Sequence, residues 1–147
     1  MRFFALALIG LTLTGCAATV NLEAAPNSNA PLCAEVMVRL PSALAEHEMR
    51  TTNSQATSAW GDPAAVLLRC GLDPVEASQL PCVTAGGVDW LVDDTQAPSY
   101  RFISFARNPG VEVIVDSLSA SGVTSLEQLA PAVRQIPESK ICTELAN

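Results

Sequence analysis

Cys16 is the residue of this chain whose chemistry the surrounding sequence defines best. It ends the segment Leu13-Thr14-Gly15-Cys16, which closes an apolar run that begins at Phe3. Small residues leading into a cysteine, directly behind a short hydrophobic stretch, resemble a bacterial lipobox. In such a motif the thiol receives a diacylglycerol and the chain is cut before the cysteine. Because two acyl chains anchor a protein stably where one is marginal, we expect Cys16 to be a membrane anchor.

The segment before Cys16 is typical of a signal peptide. Met1-Arg2 supplies a positive start, and Phe3 to Leu13 supplies an apolar stretch of the usual length. That stretch is too short to span the bilayer as a helix, which takes about 20 apolar residues. The alternative is an ordinary secretory signal with a chance cysteine. We predict a lipoprotein signal peptide over residues 1–15 and a lipid-anchored, extracytoplasmic location at the cell membrane.

The other residues that could do chemistry give little support to catalysis. The single histidine, His47, lies between two glutamates in a polar stretch, where exposure to solvent is the simpler interpretation. Asp93 and Asp94 could be imagined as a glycosidase pair, but adjacent residues on a strand point to opposite faces. No G-x-S-x-G, H-E-x-x-H or phosphate-binding glycine loop occurs in the chain. We therefore expect no enzymatic turnover, no metal and no cofactor.

The charge of the chain excludes one class of partner. The formal net charge is −7, and removal of Arg2 with the signal peptide makes it −8. An acidic domain repels nucleic acid and anionic lipid headgroups. We expect no nucleic-acid binding, and we expect the lipid to be what holds the protein at the membrane.

Four cysteines remain after lipidation, and an even number in an exported chain indicates two disulfides. Three pairings are open to Cys33, Cys70, Cys82 and Cys142. We favour Cys70–Cys82, which closes a short excursion bounded by glycine and proline, and Cys33–Cys142, which ties the start of the folded region to its end. Structural disulfides are favoured over a redox or metal site because no C-x-x-C occurs and His47 has no second ligand at helical spacing.

Hydrophobic spacing predicts one domain over residues 32–147, preceded by a flexible tether at 16–31. A helix is predicted from Cys33 to Leu40, a short helical turn within Ser42–Met49, and an amphipathic helix from Thr124 to Ile136. The segment Thr51–Ser58 is predicted to be a loop or an edge strand. Four strands are predicted at Ala64–Cys70, Val88–Val92, Tyr100–Ala106 and Val111–Val115. The predicted fold is α+β, a small antiparallel sheet of about four strands with an N-terminal and a C-terminal helix packed on one face, held by disulfides.

Two motifs of the predicted domain resemble a known family. They are the segment from Trp60-Gly61-Asp62-Pro63 to Arg69-Cys70-Gly71, and Gly87-Val88-Asp89-Trp90. Both are similar to segments of the domain of unknown function 3515 family, secreted or lipid-anchored proteins of actinobacteria. A third block of that family corresponds to Ser104-Phe105-Ala106-Arg107-Asn108-Pro109, which keeps the arginine and proline but lacks a Tyr-Gly pair. The resemblance implies export and disulfides, and it implies no activity.

The candidate binding residues are those whose types dominate contact energies. Arg69 and Arg107 have apolar neighbours and could pair with Asp62 or Asp89, either as a structural clamp or as a site for an anionic ligand. We favour the clamp. Trp60 and Trp90 would be large anchors of an aliphatic core, and their exposed edges would contribute to any binding surface.

We expect a non-enzymatic binding or accessory module of the cell envelope, whose partners are the membrane through its lipid and envelope proteins. The alternatives are an envelope enzyme that acts on polysaccharide or peptidoglycan with carboxylate and arginine chemistry, and a carrier of a small anionic ligand. The oligomeric state is left open by the sequence.

Overall fold

Eight β-strands form one antiparallel sheet in the computed structural model, which describes residues 18–142. The spatial order is β1-β2-β3-β4-β8-β7-β6-β5, so that only the β4–β8 neighbours are far apart in the chain. The strands are β1 (Ala43–Leu44), β2 (His47–Arg50), β3 (Thr57–Trp60), β4 (Val66–Leu72), β5 (Cys82–Ala85), β6 (Val88–Asp93), β7 (Ser99–Ser104) and β8 (Gly110–Asp116).

The predicted four-stranded fold is wrong, because the sheet has twice that number of strands. The four predicted strands correspond to β4, β6, β7 and β8, and the missed strands are β1, β2, β3 and β5. The missed strands are two to four residues long. So few residues are too short to show the alternation of polar and apolar side chains that indicates a strand. In β3 every residue is buried, so Thr57–Trp60 shows no alternation of polar and apolar positions.

The segment 42–49 forms a hairpin of β1 and β2, and the helical turn predicted there is wrong. Its two-residue connection is Ala45-Glu46, with φ of 46° and 68°. Such left-handed turns match the twist of paired strands and usually carry Asn or Gly. Since neither residue is present, the hairpin has no local sequence signature.

Two helices lie on one face of the sheet: α1 (Pro31–Met37) and α2 (Gly122–Val133). Helix α1 packs on β4, α2 packs on β8 and β5, and the helices contact each other. The Ser121 side chain accepts a hydrogen bond from the Thr124 amide and caps α2, while Pro131 lies near its end, within its last turn. Among residues 18–142 no helix has the length and apolar character to cross a membrane.

The core lies between the helices and the alternate side chains of the central strands. In β8, Val111, Val113 and Val115 face the helices and are almost fully buried. Trp60 and Trp90 lie in the same core with no exposed surface. Burial of these aliphatic and aromatic side chains supplies the main stabilisation of the fold.

Both disulfides differ from the predicted pairing. Cys33 of α1 bonds Cys70 of β4, and Cys82 of β5 bonds Cys142. The predicted Cys70–Cys82 bond is excluded because four inter-strand steps separate β4 from β5, about 19 Å, whereas bonded cysteines need Cα atoms within about 7 Å. The predicted Cys33–Cys142 bond fails because Cys33 lies in the core on the helix side, while Cys82 and its partner lie on the other face beside Leu91. On the chain-entropy model each observed bond contributes about 4 kcal/mol.

Residues 18–31 contact the domain, which differs from the predicted flexible tether. Val20 forms a parallel bridge with Thr52, and the Asn27 amide donates to the Gly71 carbonyl at 2.8 Å. Ala25 is buried, with 3% of its surface exposed. The chain from residue 18 onward is therefore part of the folded unit.

Candidate functional site

An ion triad lies at the centre of the sheet face that the helices leave uncovered. Glu112 of β8 stands opposite Arg69 of β4 in the strand register, and Arg101 of β7 is its diagonal neighbour on the other side. Arg69 donates from Nε and Nη2 to Glu112 Oε2, each at 2.6 Å, and Arg101 Nε donates to Oε1. The Glu112 side chain is 3% exposed, while the guanidinium side chains are 30% and 37% exposed.

The triad corrects the predicted partners of Arg69, since neither Asp62 nor Asp89 pairs with it. Glu112 and Arg101 were missed as candidates. The signal for Glu112 was its position inside the β-branched run Val111–Val115, where a carboxylate on a central strand needs a cation beside it. The cation opposite Glu112 is Arg69, which lies 43 residues earlier in the chain. No local sequence pattern shows that these two residues pair.

Two cavities flank the triad. One of about 250 Å³ is lined by Arg69, Glu112 and the segment Asn21–Glu23, and the other, of about 180 Å³, is lined by Arg101, Asp93 and Thr95. Two guanidinium groups share one carboxylate, so the cluster carries a net positive charge in an acidic protein. The arginine donors that point to Glu112 are already used, which favours a cross-strand clamp over recognition of an anion.

Arg107 also acts as a clamp, in the connection between β7 and β8. Its side chain is 2% exposed, its Nη2 lies 2.9 Å from Glu138 Oε2, and its Nη1 donates to the Ile136 carbonyl. It therefore holds residues 136–142, which we call the C-terminal strap, against the end of β7. Within residues 18–142 its Nε has no hydrogen-bond partner. The predicted pairing of Arg107 with Asp89 or Asp62 is wrong.

Asp89 holds the other end of the C-terminal strap. Its carboxylate accepts hydrogen bonds from Thr84 Oγ1 at 2.6 Å and from the Cys142 amide at 2.7 Å. Asp89 and Arg107 thus line one cavity, of about 240 Å³, together with strap residues. The Cys82 and Cys142 sulfurs lie within 4.8 Å of the Asp89 carboxylate, but they are joined in a disulfide and are not thiolate ligands for a metal.

The first family motif also serves the fold. Asp62 pairs with Arg50 at 3.0 Å, and Trp60 Nε1 donates to the Pro41 carbonyl at 3.0 Å. Trp60 and Trp90 offer no exposed edge for binding, because both side chains are fully buried. Their predicted part in a binding surface is therefore wrong, whereas their role as core anchors agrees with the structure.

Each residue of the segment Arg69-Cys70-Gly71 makes a contact between distant parts of the chain. Arg69 bonds Glu112, and Cys70 bonds Cys33. At Gly71, with φ of 114°, an added Cβ would lie 2.5 Å from backbone atoms of Asn27 and Ser28. Only glycine allows the segment before α1 to come this close to β4.

Two exposed carboxylates have perturbed ionisation. Hydrogen bonds from the Thr95 hydroxyl and amide lower the pKa of Asp93. A hydrogen bond and the charge of Lys140, followed by a hydrogen bond from Ser139, lower the pKa of Glu76. The Lys140 Nζ lies 3.2 Å from Glu76 Oε2, so this pair also fastens the C-terminal strap.

A larger cavity is an apolar groove on the helix side, with a volume of about 430 Å³. The sheet from β5 to β8 forms one wall and the start of α2 forms the other. Its lining contains no Asp, Glu, Lys, Arg or His side chain, and the hydroxyls of Tyr100, Ser117 and Ser121 supply its polarity. The apolar side chains of its lining include Val83, Val92, Tyr100, Phe102, Val123 and Leu126.

Two groove residues are unusually exposed for aliphatic side chains: Val123 at 64% and Val83 at 42%. Neither was a candidate from the sequence, since a valine in a strand or an amphipathic helix is usually a core residue. The groove arises where the first turn of α2 stands away from β5. The predicted lipidation site, Cys16, lies outside the described residues and stays a prediction.

Comparison with known proteins identifies a family and no named relative. None of the curated proteins or solved structures compared with the chain is similar to it. The family model described as Protein of unknown function (DUF3515) matches residues 6–141, which include Arg69, Arg107 and Glu112. The predicted resemblance to this family is thereby confirmed, and this chain belongs to the DUF3515 family.

Proposed function

We propose that the protein is a lipid-anchored, non-enzymatic binding module on the outer side of the cytoplasmic membrane, and that its groove holds a hydrocarbon chain of an envelope lipid. The observation that carries the proposal is the uncharged, apolar lining of a cavity of about 430 Å³. A groove of this size and polarity falls within the range of small-ligand sites. The hydroxyls of Tyr100 and Ser121 offer hydrogen bonds to an ester or carboxyl group at the end of such a chain.

The location in the envelope is supported by the Leu13-Thr14-Gly15-Cys16 motif and by the two disulfides. Disulfides persist in oxidising compartments outside the cytoplasm. The anchor would place the domain beside membrane lipids, which are the most abundant source of hydrocarbon chains at that site.

The carrier of an anionic ligand has less support. Arg69, Arg101 and Arg107 each bond a carboxylate of the same chain, so that the donors that face these carboxylates are already used. The envelope enzyme also has less support, because Glu112, Glu138 and Asp89, the carboxylates at or beside the arginine clamps, are each held in structural contacts.

Binding of a fluorescent fatty acid to the purified mature domain tests the proposal. Val123→Glu and Val83→Glu place a charge on the groove wall and should weaken binding at least about tenfold, because a carboxylate next to a hydrocarbon chain is costly. Leu118→Glu is the matched control, since Leu118 is 82% exposed and lies outside the groove lining. It should leave binding unchanged.

Two results would contradict the proposal. Equal loss of binding in all three variants would show that the probe does not occupy the groove. Hydrolysis of peptidoglycan fragments by the pure protein, abolished by one carboxylate substitution, would show an enzyme in place of a binding module.

A further inference from the structure

The first described residues are bound firmly to one edge of the domain. The Val20 amide donates to the Thr51 carbonyl at 2.9 Å, and the Asn53 amide donates to the Val20 carbonyl at 3.3 Å. The Leu22 amide donates to Asn53 Oδ1 at 2.8 Å. The chain at this point is therefore one more extended segment beside the residues that follow β2.

Arg50 fixes the position of Ala18 itself. Its Nη2 donates to the Ala18 carbonyl at 2.5 Å, and its Nη1 donates to the Gly61 carbonyl at 2.8 Å and pairs with Asp62 at 3.0 Å. The Arg50 side chain is 10% exposed. A single guanidinium thus joins Ala18 to the turn after β3.

Covalent geometry then limits the distance between this point and a lipid on Cys16. Only Ala17 lies between Cys16 and Ala18. Two residue steps span at most about 7 Å in a fully extended chain. The headgroup layer on each side of the hydrocarbon core is itself about 5–7 Å thick. A lipid at Cys16 would bring Ala18 directly to the headgroups.

We infer that the lipidated protein has no free tether and that a defined face of the domain contacts the lipid headgroups. This face, called here the anchor-side face, consists of residues 51–53 and 61–63, which surround Ala18. The inference rests on the proposed lipidation of Cys16. The partner is the membrane surface itself, recognised through the position of the anchor and not through charge.

The charged side chains at and beside this face favour contact with neutral lipid headgroups over anionic ones. Asp62 is 72% exposed on its side chain, and Glu48 is also exposed. Arg50 is the nearby cation, and it is already paired. Anionic headgroups would repel this face, so that attraction to acidic lipid does not explain the contact.

The anchor-side face leaves the apolar groove uncovered. Five inter-strand steps separate β2 from β6 in the sheet, which corresponds to about 24 Å. Val83 and Val92 of the groove lie on β5 and β6, and Ala18 lies beside β2. Contact of the anchor-side face with the membrane would keep this part of the groove open to a ligand.

The test attaches the domain to a membrane through Cys16, with the natural single residue between Cys16 and Ala18. A maleimide lipid is coupled to the Cys16 thiol of residues 16–147, in which the other four cysteines form disulfides. The coupled protein is bound to phosphatidylcholine nanodiscs that contain a gadolinium-chelate lipid, and amide resonances are recorded by NMR. We expect the resonances of residues 51–53 and 61–63 to be lost, while those of residues 82–85 in β5, at the opposite edge of the sheet, remain.

The control is the same protein with a twelve-residue Gly-Ser linker inserted between Ala17 and Ala18. It should stay on the nanodisc, keep its fold and lose the selective broadening. Uniform broadening at the natural spacing, or selective broadening that persists with the linker, would overturn the inference. Mass spectrometry of Cys16 from cells is a separate measurement, and absence of a diacylglycerol there would overturn the proposed lipoprotein and leave the geometric result unaffected.

Discussion

Arg69 and Glu112 form a partly buried ion pair between strands that are adjacent in the sheet, and the two residues are 43 positions apart in the chain, with 2.6 Å between Arg69 Nε and Glu112 Oε2. The same carboxylate also accepts a hydrogen bond from Arg101. One glutamate therefore connects β4, β8 and β7 on the face that carries no helix. Three central strands are thus joined through one buried carboxylate.

The substitution Glu112→Gln should destabilise the domain by about 3 kcal/mol, because it leaves two neighbouring guanidinium groups without a counter-charge. The corresponding decrease in Tm is about 10 °C for a domain of this size. Thermal unfolding followed by circular dichroism measures it. Glu35→Gln is the control, because Glu35 pairs with Arg39 on the surface and such pairs contribute less than about 1 kcal/mol. Equal losses in both variants would contradict the clamp.

Non-reducing peptide mapping should yield Cys33–Cys70 and Cys82–Cys142 peptides. The physical reason is that the register of the sheet separates Cys70 from Cys82 by four strand spacings. A Cys70–Cys82 or Cys33–Cys142 peptide would contradict the strand order described here, since neither bond can form in it.

Removal of the Arg107 clamp should open the C-terminal strap. Lys140 is the only lysine in the chain, so that a lysine-specific protease reports on this segment alone. Arg107→Met removes the bonds to Ile136 and Glu138 and should increase cleavage after Lys140 severalfold, measured by mass spectrometry after reduction. Glu138→Gln, which removes only the ion pair, should give a smaller increase.

Arg39→Met is the control for the protease experiment, because Arg39 bonds only Glu35 within its own helix region. Its cleavage rate should equal that of the unmodified protein. Resistance to cleavage in the Arg107 variant, with Tm also unchanged, would show that the clamp does not hold the strap.

The pKa of Asp93 should rise toward its ordinary value in the variant Thr95→Val. The Thr95 hydroxyl is the largest cause of its depression, and the substitution removes that donor. Because the folded pKa is lowered, the stabilisation from this hydrogen bond is present above the ordinary pKa of an aspartate and is lost as the pH falls through the folded pKa. Carbon-detected NMR titration measures the shift. An unchanged Asp93 titration would contradict the assigned cause.

Cys16→Ser should abolish incorporation of a labelled fatty acid and leave the precursor uncut or the protein in the soluble fraction. The physical reason is the loss of the thiol that carries the diacylglycerol. Fractionation of cells with metabolic labelling measures both effects. Membrane retention equal to that of the unmodified protein would contradict the lipobox interpretation.

The strands with the strongest patterns could be predicted from the sequence, and the remaining strands could not. Val111–Val115 alternates around Glu112, and Tyr100–Ala106 is rich in aromatic and β-branched residues, so that local preference and burial agree. The residues of β1 and β2 carry no such preference. Pairing with neighbours in the sheet, and not local sequence, makes them strands.

The sequence by itself determined the family, the presence of two disulfides and two of the clamp residues, Arg69 and Arg107, because these depend on residue types at short spacing. Tertiary structure decided the partners. Arg69 and Arg101 both meet Glu112 only after β8 inserts between β4 and β7, and Cys70 meets Cys33 only after α1 packs on β4. The groove between β5 and α2 likewise has no counterpart in the chain order. Contacts between distant residues depend on the strand register and on the packing of helices on the sheet. Local sequence patterns therefore do not show which distant residues form a pair.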